Sequence, residues 1–416
     1  MTIFQHRFLV FFLFSFLILC RSESQAQRFG FVMPPNQKRV VIPFTEYNNL
    51  VVIPVTVNKS LTMDFIVDTG VQNAILTEKI FGDLLQLNYQ RKITIAGPGL
   101  IDSVTAFIAG NIVLDLPGGV TASNRSFLVL ETDYLQLKNN MGAEIYGIIG
   151  YELFSRFVVE INYDQKNLIL HNPRYFKKRK YMHAIPLDVH KTKPYITTTI
   201  GYEGQPSLDS IKLMVDSGAS HGLLLDPDED KSILLPPKTI KTNLGKGLGG
   251  NIDGKLGRIK EFNFEKLTFK DVIASFPDPG IYNKNMKRGS RSGTLGGELL
   301  GRINPVFDYM NGYIYFYKGR RYKKPFKYDM SGMSVSAYGP SLELAIIDNV
   351  RAGSPADKAG VKNGDIIKKI NGEAVENLSL TKIFSLLRRK EGYRIKMKIV
   401  RNGIELKKCF RLKELI

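Results

Sequence analysis

The stretch Met63-Asp64-Phe65-Ile66-Val67-Asp68-Thr69-Gly70 runs an apolar segment into an acidic turn. Lys212-Leu213-Met214-Val215-Asp216-Ser217-Gly218 does the same in the second half of the chain. Each apolar run reads as a buried strand and each Asp-Thr/Ser-Gly as the turn that ends it. One such tripeptide is weak evidence, but a second element repeats in the same order. Gly147-Ile148-Ile149-Gly150-Tyr151-Glu152-Leu153-Phe154-Ser155-Arg156-Phe157 lines up with Gly293-Thr294-Leu295-Gly296-Gly297-Glu298-Leu299-Leu300-Gly301-Arg302-Ile303 at a constant offset of 146, while the two Asp are 148 apart. Asp68 precedes Gly150 by 82 residues and Asp216 precedes Gly296 by 80. Both copies continue into apolar segments, Val158-Val159-Glu160-Ile161-Asn162-Tyr163 and Val306-Phe307-Asp308-Tyr309. Two ordered motifs at nearly equal spacing mark a duplicated domain.

Carried by these paired motifs, residues 40–318 resemble the pepsin/retropepsin clan of aspartic proteases, and more closely its bacterial members with retropepsin-like lobes in tandem. In that clan each lobe has a hydrophobic-Asp-Thr/Ser-Gly turn and a later hydrophobic-hydrophobic-Gly segment that braces it. Ile148-Ile149-Gly150 fits that pattern, and Thr294-Leu295-Gly296 departs from it at the first position. The resemblance implies a mainly β fold. Two β-barrel lobes, 40–172 and 183–318, would face each other across a cleft, with Asp68 and Asp216 as the catalytic pair. It also implies that the Thr69 and Ser217 hydroxyls bond across to the opposite lobe, and that no cofactor is needed because the pair activates water itself.

The residue types suit that chemistry. Hydrolysing a peptide without metal, Cys or Ser needs one carboxylate to take a proton from water and one carboxylic acid to protonate the carbonyl oxygen. Two carboxyls about 3 Å apart provide both, because they cannot both ionise and share one proton. They titrate as a unit, so neither Asp is assigned separately as base or acid. Gly70 and Gly218 let the backbone turn tightly and aim N–H groups at the carboxylates. The Gly-rich stretches Ile93-Thr94-Ile95-Ala96-Gly97-Pro98-Gly99 and 245–257 are candidate flaps, by analogy with the family. Gly245-Lys246-Gly247-Leu248-Gly249-Gly250 is no phosphate loop, since no Gly-Lys-Ser/Thr follows. Ser220-His221 lacks the nucleophile elbow and oxyanion loop of a serine triad. Glu152 with Arg156, and Glu298 with Arg302, are spaced for ion pairs on helices.

The length of 416 residues allows two to three domains, and 44% hydrophobic with 23% charged residues is an ordinary globular balance. Two cysteines, Cys20 and Cys409, exclude a disulfide framework and Cys-rich metal sites. Five histidines and no HExxH exclude a helical zinc-protease site. Arg7, an apolar run from Phe8 to Cys20, and the small residues Ser24 and Ala26 read as a signal peptide over 1–26. The expected destination is periplasmic or secreted, with lipoprotein anchoring at Cys20 as the alternative. The net charge is +19, and residues 319–416 hold 22 Lys/Arg against 10 Asp/Glu. The clusters Lys177-Lys178-Arg179-Lys180 and Arg320-Arg321-Tyr322-Lys323-Lys324 read as solvated linkers, or as contacts to an anionic envelope surface. Nucleic acid is excluded as a partner for an exported chain lacking any such motif.

After the second cluster the pattern changes. Leu344-Ala345-Ile346-Ile347-Asp348-Asn349-Val350 reads as a strand. Gly353-Ser354-Pro355-Ala356 and Ala359-Gly360-Val361 frame a short helix, and Gly364-Asp365-Ile366-Ile367 leads by a strand to the turn Ile370-Asn371-Gly372. Ser379 caps a helix in which Leu380, Ile383, Phe384 and Leu387 share a face. Residues 331–416 resemble an α/β PDZ domain of the kind attached to bacterial envelope proteases. That resemblance implies a C-terminal peptide ligand added as an extra strand beside the helix, with Ser331-Gly332-Met333-Ser334 as the candidate carboxylate loop. Two functions compete: an exported aspartic endopeptidase acting on protein or peptide substrates, and a non-catalytic peptide-binding scaffold of the envelope.

Overall fold

The computed structural model describes residues 30–99, 103–204, 208–281 and 291–416. The expected signal segment 1–26 lies outside the described residues, Cys20 included. The fold is mainly β, with two barrel-like lobes and a smaller C-terminal module.

The apolar run before Asp68 forms the strand Leu61–Val67. Its neighbour Ile145–Ile149 runs parallel to it, with Val67 beside Ile149. A parallel strand inside a sheet is covered on both faces, which explains why Ile145–Ile149 reads as a nearly unbroken apolar run. In the first lobe the eight-stranded order is Thr45–Tyr47, Leu50–Val57, Leu61–Val67, Ile145–Ile149, Ala74–Leu76, Val120–Leu130, Val104–Leu116, Asn88–Ile95. A further pairing of Leu50–Val57 with Val104–Leu116 curls this sheet on itself. The second lobe repeats the order strand for strand: Asp188–His190, Lys193–Gly201, Leu208–Val215, Gly293–Leu295, Leu223–Leu225, Leu267–Pro277, Gly250–Phe264, Thr239–Gly247. Its closing pair, Lys193–Gly201 with Gly250–Phe264, is the equivalent one.

The lobes are joined by a six-stranded sheet to which each contributes three strands. Its order is Arg39–Pro43, Asn167–His171, Val158–Asn162, Val306–Asp308, Tyr313–Phe316, His183–Pro186. At the seam Val159 pairs with Phe307 and Glu160 with Val306. All five residues of Val158–Asn162 are buried, Glu160 among them, and its carboxylate accepts from His171 Nε2 at 2.9 Å and Tyr317 Oη at 3.2 Å.

Both basic clusters are partly tied to the protein, which departs from the solvated-linker reading. Arg179 reaches Glu160 and Tyr181, and Arg321 pairs with Glu46 at 2.7 Å. Arg302 donates to the Arg321, Lys324 and Pro325 carbonyls and stacks its guanidinium 3.5 Å from the Phe326 ring centroid. The linker is thereby held along the second lobe, while Lys177, Lys323 and Lys324 stay exposed.

The C-terminal module orders its strands Met333–Tyr338, Leu344–Val350, Ile366–Ile370, Arg394–Arg401, Ile404–Arg411. Ser354 and Ser379 cap its two helices, Pro355–Lys358 and Leu380–Leu387, each accepting from the N–H three residues on. The buried face of the longer helix is Leu380, Ile383, Leu386 and Leu387. Phe384 is only partly covered and lies under Arg388, so Leu386 takes the place expected for it. Among the described residues no helix is long and apolar enough to cross a membrane.

Candidate active site

Each Asp sits at the end of its strand, where the neighbouring parallel strand holds its backbone. Asp68 N–H donates to the Ile149 carbonyl and Asp216 N–H to the Leu295 carbonyl, both at 2.8 Å. A Cβ on Gly150 would collide with the Asp68 carbonyl and come within 2.7 Å of the Val71 carbonyl, so the brace needs glycine there. Gly296 meets the His221 and Ala219 carbonyls in the same way. The departure at Thr294 leaves this geometry unchanged: Thr294 is buried and pairs with Met214.

Between the two turns the hydroxyls cross over. Thr69 Oγ1 donates to the Val215 carbonyl at 2.7 Å and accepts from Ser217 N–H at 3.0 Å. Ser217 Oγ donates to the Val67 carbonyl at 2.8 Å and accepts from Thr69 N–H at 3.0 Å. Both side chains are fully buried. Four reciprocal bonds in a dry interior fix the two turns against each other. The carboxyls of Asp68 and Asp216 are thereby brought close enough for the charge of Asp216 to act on Asp68. Gly70 N–H donates to Asp68 Oδ1 at 2.6 Å and Gly218 N–H to Asp216 Oδ1 at 3.0 Å.

The glycines matter for space more than for a special turn, since neither is among the residues with positive φ. A Cβ on Gly218 would overlap Asp68 Cγ and Oδ2 and lie 2.8 Å from Oδ1. One on Gly70 would be 3.1 Å from Asp68 Oδ1 and 3.5 Å from Asp216.

Burial raises the Asp68 carboxyl well above the usual carboxylate range. The charge of Asp216 and the bond between the two carboxyls push the same way, against the Gly70 amide and the more distant Lys193. Such a pair retains a proton at a pH where ordinary carboxylates have lost theirs. Burial lowers the His221 imidazole to about 4 despite the nearby Asp216, and its Nε2 has no hydrogen-bond partner among the described residues. The adjacent Ser220 presents its carbonyl to Asn49 Nδ2 at 2.9 Å, so this dipeptide serves the lobe contact.

The two Gly-rich hairpins meet at their tips. Gly99 bridges Gly249, Gly249 N–H donates to the Pro98 carbonyl at 2.7 Å, and Leu248 joins Ile93 and Ile95 in one apolar cluster. Each lobe thus contributes one of the two joined hairpins.

Two groups near the pair were not legible as site residues. In the first lobe the strand register continues to set Leu50 opposite Asp68. In the second the same register sets Lys193 opposite Asp216. Burial and the neighbouring Arg291 lower the Lys193 ammonium, while both aspartates pull it back up. Tyr309 lies close enough to feel both carboxyls, and its buried hydroxyl has no partner among the described residues. Only the strand register exposes Lys193, because hairpins of unequal length hide its equivalence to Leu50.

One expected ion pair is corrected. Glu152 pairs with Arg125, at 2.7 Å, and not with Arg156. The helix Tyr151–Phe154 ends before Arg156, which turns away to pack against Gly30. The expected pair Glu298–Arg302 is present at 3.3 Å. The candidate carboxylate loop is also altered. Asp329 fills it from within, accepting from Ser331 N–H at 3.0 Å and Gly332 N–H at 2.7 Å, while Met333 N–H donates to Ser331 Oγ at 3.1 Å.

Comparison with known proteins agrees with this architecture. Residues 199–299 match the aspartyl protease family and residues 346–401 match the PDZ domain. The carboxy-terminal processing protease CtpA of Bacillus subtilis (strain 168) is 27% identical over 108 residues, covering 26% of this chain and 23% of that protein. The carboxy-terminal processing protease CtpB of the same organism is 26% identical over 133 residues, covering 32% and 28%. The chain thus spans about a quarter of the length of the curated relatives it matches. By family match and by fold, this is a chain with a retropepsin-like aspartyl protease domain followed by a C-terminal PDZ domain.

Proposed function

We propose that this protein is an exported aspartic endopeptidase in which Asp68 and Asp216 together activate water. The observation that carries the reading is the reciprocal Thr69–Ser217 contact, which fixes the two Asp-bearing turns against each other; on this reading the neighbouring carboxyls share one proton. Water bound between the carboxyls gives a proton to the ionised one as its oxygen attacks the peptide carbonyl carbon. The protonated carboxyl passes its proton to the carbonyl oxygen, forming a neutral diol. As the diol collapses and the C–N bond breaks, the protonated carboxyl gives its proton to the departing nitrogen and the ionised one takes the proton of a diol hydroxyl, which restores the pair. No charged oxygen has to be stabilised by a separate donor. The flaps would lie along an extended substrate and exclude bulk water.

Substrates on this reading are proteins or peptides, and the PDZ module engages an extended peptide. Export follows from the N-terminal segment, and the exposed lysines of the linkers are available to an anionic envelope surface. The test is cleavage of a diverse peptide mixture from about pH 3 to pH 8, beside Asp68→Asn and Asp216→Asn. Each variant should keep its thermal midpoint and lose turnover by at least about a thousandfold. Cleavage retained by both would end the proposal, and a folded wild type that binds peptides but never cuts them would leave the scaffold reading.

A further inference from the structure

The edge strand of the PDZ module, Met333–Tyr338, is paired on one side only. Its other edge, with the helix Leu380–Leu387 beside it, forms the groove in which an added peptide strand would lie. Asp329 occupies the loop at one end of that groove. The first lobe covers the other end. Asn139 Nδ2 donates to the Ala337 carbonyl at 2.8 Å, and Asn140 Oδ1 lies 3.2 Å from the Ser336 hydroxyl. Gly142 rests on Leu380, where a Cβ would come within 2.9 Å of the leucine Cγ. These three residues belong to the helix Leu137–Met141 and its C-terminal cap.

That helix is also tied to the cleft. Tyr134, Leu135, Leu137 and Met141 pack in the same apolar cluster as Ile93, Ile95 and Leu248 of the flaps. Three residues beyond Gly142 begins the strand Ile145–Ile149, whose last carbonyl holds Asp68. Its own hold is weak. It has five residues, no side-chain cap, and a left-handed Gln136 at its start with φ of 48°. A helix this short is sustained by its contacts and not by its own hydrogen bonds.

We propose that the edge of Met333–Tyr338 is an interaction surface contested by two occupants, the chain's own 136–142 segment and an extended peptide from outside, and that the exchange opens the flaps. An incoming strand needs the Ala337 carbonyl that Asn139 now holds. Once it takes that carbonyl, the helix Leu137–Met141 loses its footing on the module, and the flap cluster loses the side chains it shares with that helix. Because Asp329 already fills the carboxylate loop, the peptide enters as an internal segment with no need of a free C-terminus. The activity half of this inference rests on the endopeptidase reading, while the coupling half does not.

The test uses the full chain with Cys20→Ser and Cys409→Ser, into which Gly142→Cys and Leu380→Cys are introduced. The Cβ positions lie 3.2 Å apart, close to the disulfide range of about 3.5–4.5 Å. Amide exchange at 93–95, 145–149 and 247–250 and peptide cleavage are read in the oxidised and reduced forms, and again in Asn139→Ala, which needs no cross-link. Oxidation should slow exchange at all three segments and lower cleavage about tenfold, with reduction reversing both. Asn139→Ala should raise both about fivefold. Equal exchange in the oxidised and reduced forms, with Asn139→Ala like wild type, would overturn the proposal. Exchange that changes as expected in a protein that never cleaves would uphold the coupling and defeat the endopeptidase reading alone.

Discussion

Gly218→Ala tests how closely the chemistry depends on the packing around the pair. The added methyl would sit on the Asp68 carboxyl, overlapping Cγ and Oδ2 and lying 2.8 Å from Oδ1. Ordinary contact needs about 3.5 Å, so the carboxyl must retreat by about 1 Å. Asp68 is a short side chain and can rotate, so the cost to stability is modest, about 1–2 kcal/mol, the lower part of the overpacking range. The cost to catalysis is larger, because a 1 Å misplacement of a reacting group is worth about a hundredfold. Gly70→Ala is the internal control. Its Cβ would be 3.1 Å from Asp68 Oδ1 and 3.5 Å from Asp216, which a shift of a few tenths of an ångström relieves, so activity should fall less than about tenfold. The assay is kcat/KM on one cleaved peptide, paired with the urea midpoint of each variant. Equal losses in the two variants, or a heavier loss in Gly70→Ala, would refute this account of the site.

Three other substitutions test the frame around it. Thr69→Ala removes the acceptor of Ser217 N–H and the donor to the Val215 carbonyl inside a dry contact; it should cost about 2–4 kcal/mol in urea unfolding, and Thr69→Ser should recover most of that. Lys193→Met removes a cation that favours the ionised form of the pair, so the acidic limb of the pH–rate profile should move to higher pH; a limb that stays put would remove Lys193 from the site's electrostatics. Asp365 is fully buried, and although burial would raise its carboxyl, the bond to Arg401, at 2.6 Å to Nε, and the Lys362 amide outweigh it and leave the carboxyl below its ordinary value. A carboxyl lowered on folding contributes stability above its unfolded value near pH 4 and loses it as pH falls through the lower folded value, so Asp365→Asn should flatten the acid limb of the PDZ module's thermal stability and cost about 2–3 kcal/mol at neutral pH.

What could be read in advance follows the distinction between local and long-range causes. The Asp turns, the braces and the duplication are local patterns repeated at one spacing, and the β-lobed architecture followed from them. The PDZ module was legible for the same reason: its turns and caps are written in Gly, Asn, Pro and Ser at short range. Glu152 was misassigned because helix spacing presumes a helix long enough to hold both residues, and Tyr151–Phe154 is not. Lys193 was invisible because its importance comes from a strand register, and a five-residue difference between hairpins shifts the alignment that would have paired it with Leu50. Asp329 carried no signal of its own, because its hold on the Ser331 and Gly332 amides exists only once the loop has folded.

The duplicated frame and the differences laid on it have separate jobs. Equivalence between the lobes is strict where the backbone must be held: strand order, braces and the crossed hydroxyls all obey it. It fails at the carboxyls themselves. Leu50 faces Asp68 where Lys193 faces Asp216, and the missing Cβ of Gly218 crowds Asp68 where that of Gly70 leaves room. The surroundings of the pair are therefore unequal: burial raises the Asp68 carboxyl, and the cation of Lys193 opposes that rise. In Leu50→Lys a second cation should favour the ionised form of the pair, and activity should fall even though every bond between Thr69 and Ser217 remains. If Leu50→Lys cleaved as fast as wild type with an unchanged pH profile, the asymmetry would be an accident of divergence rather than part of how the pair works.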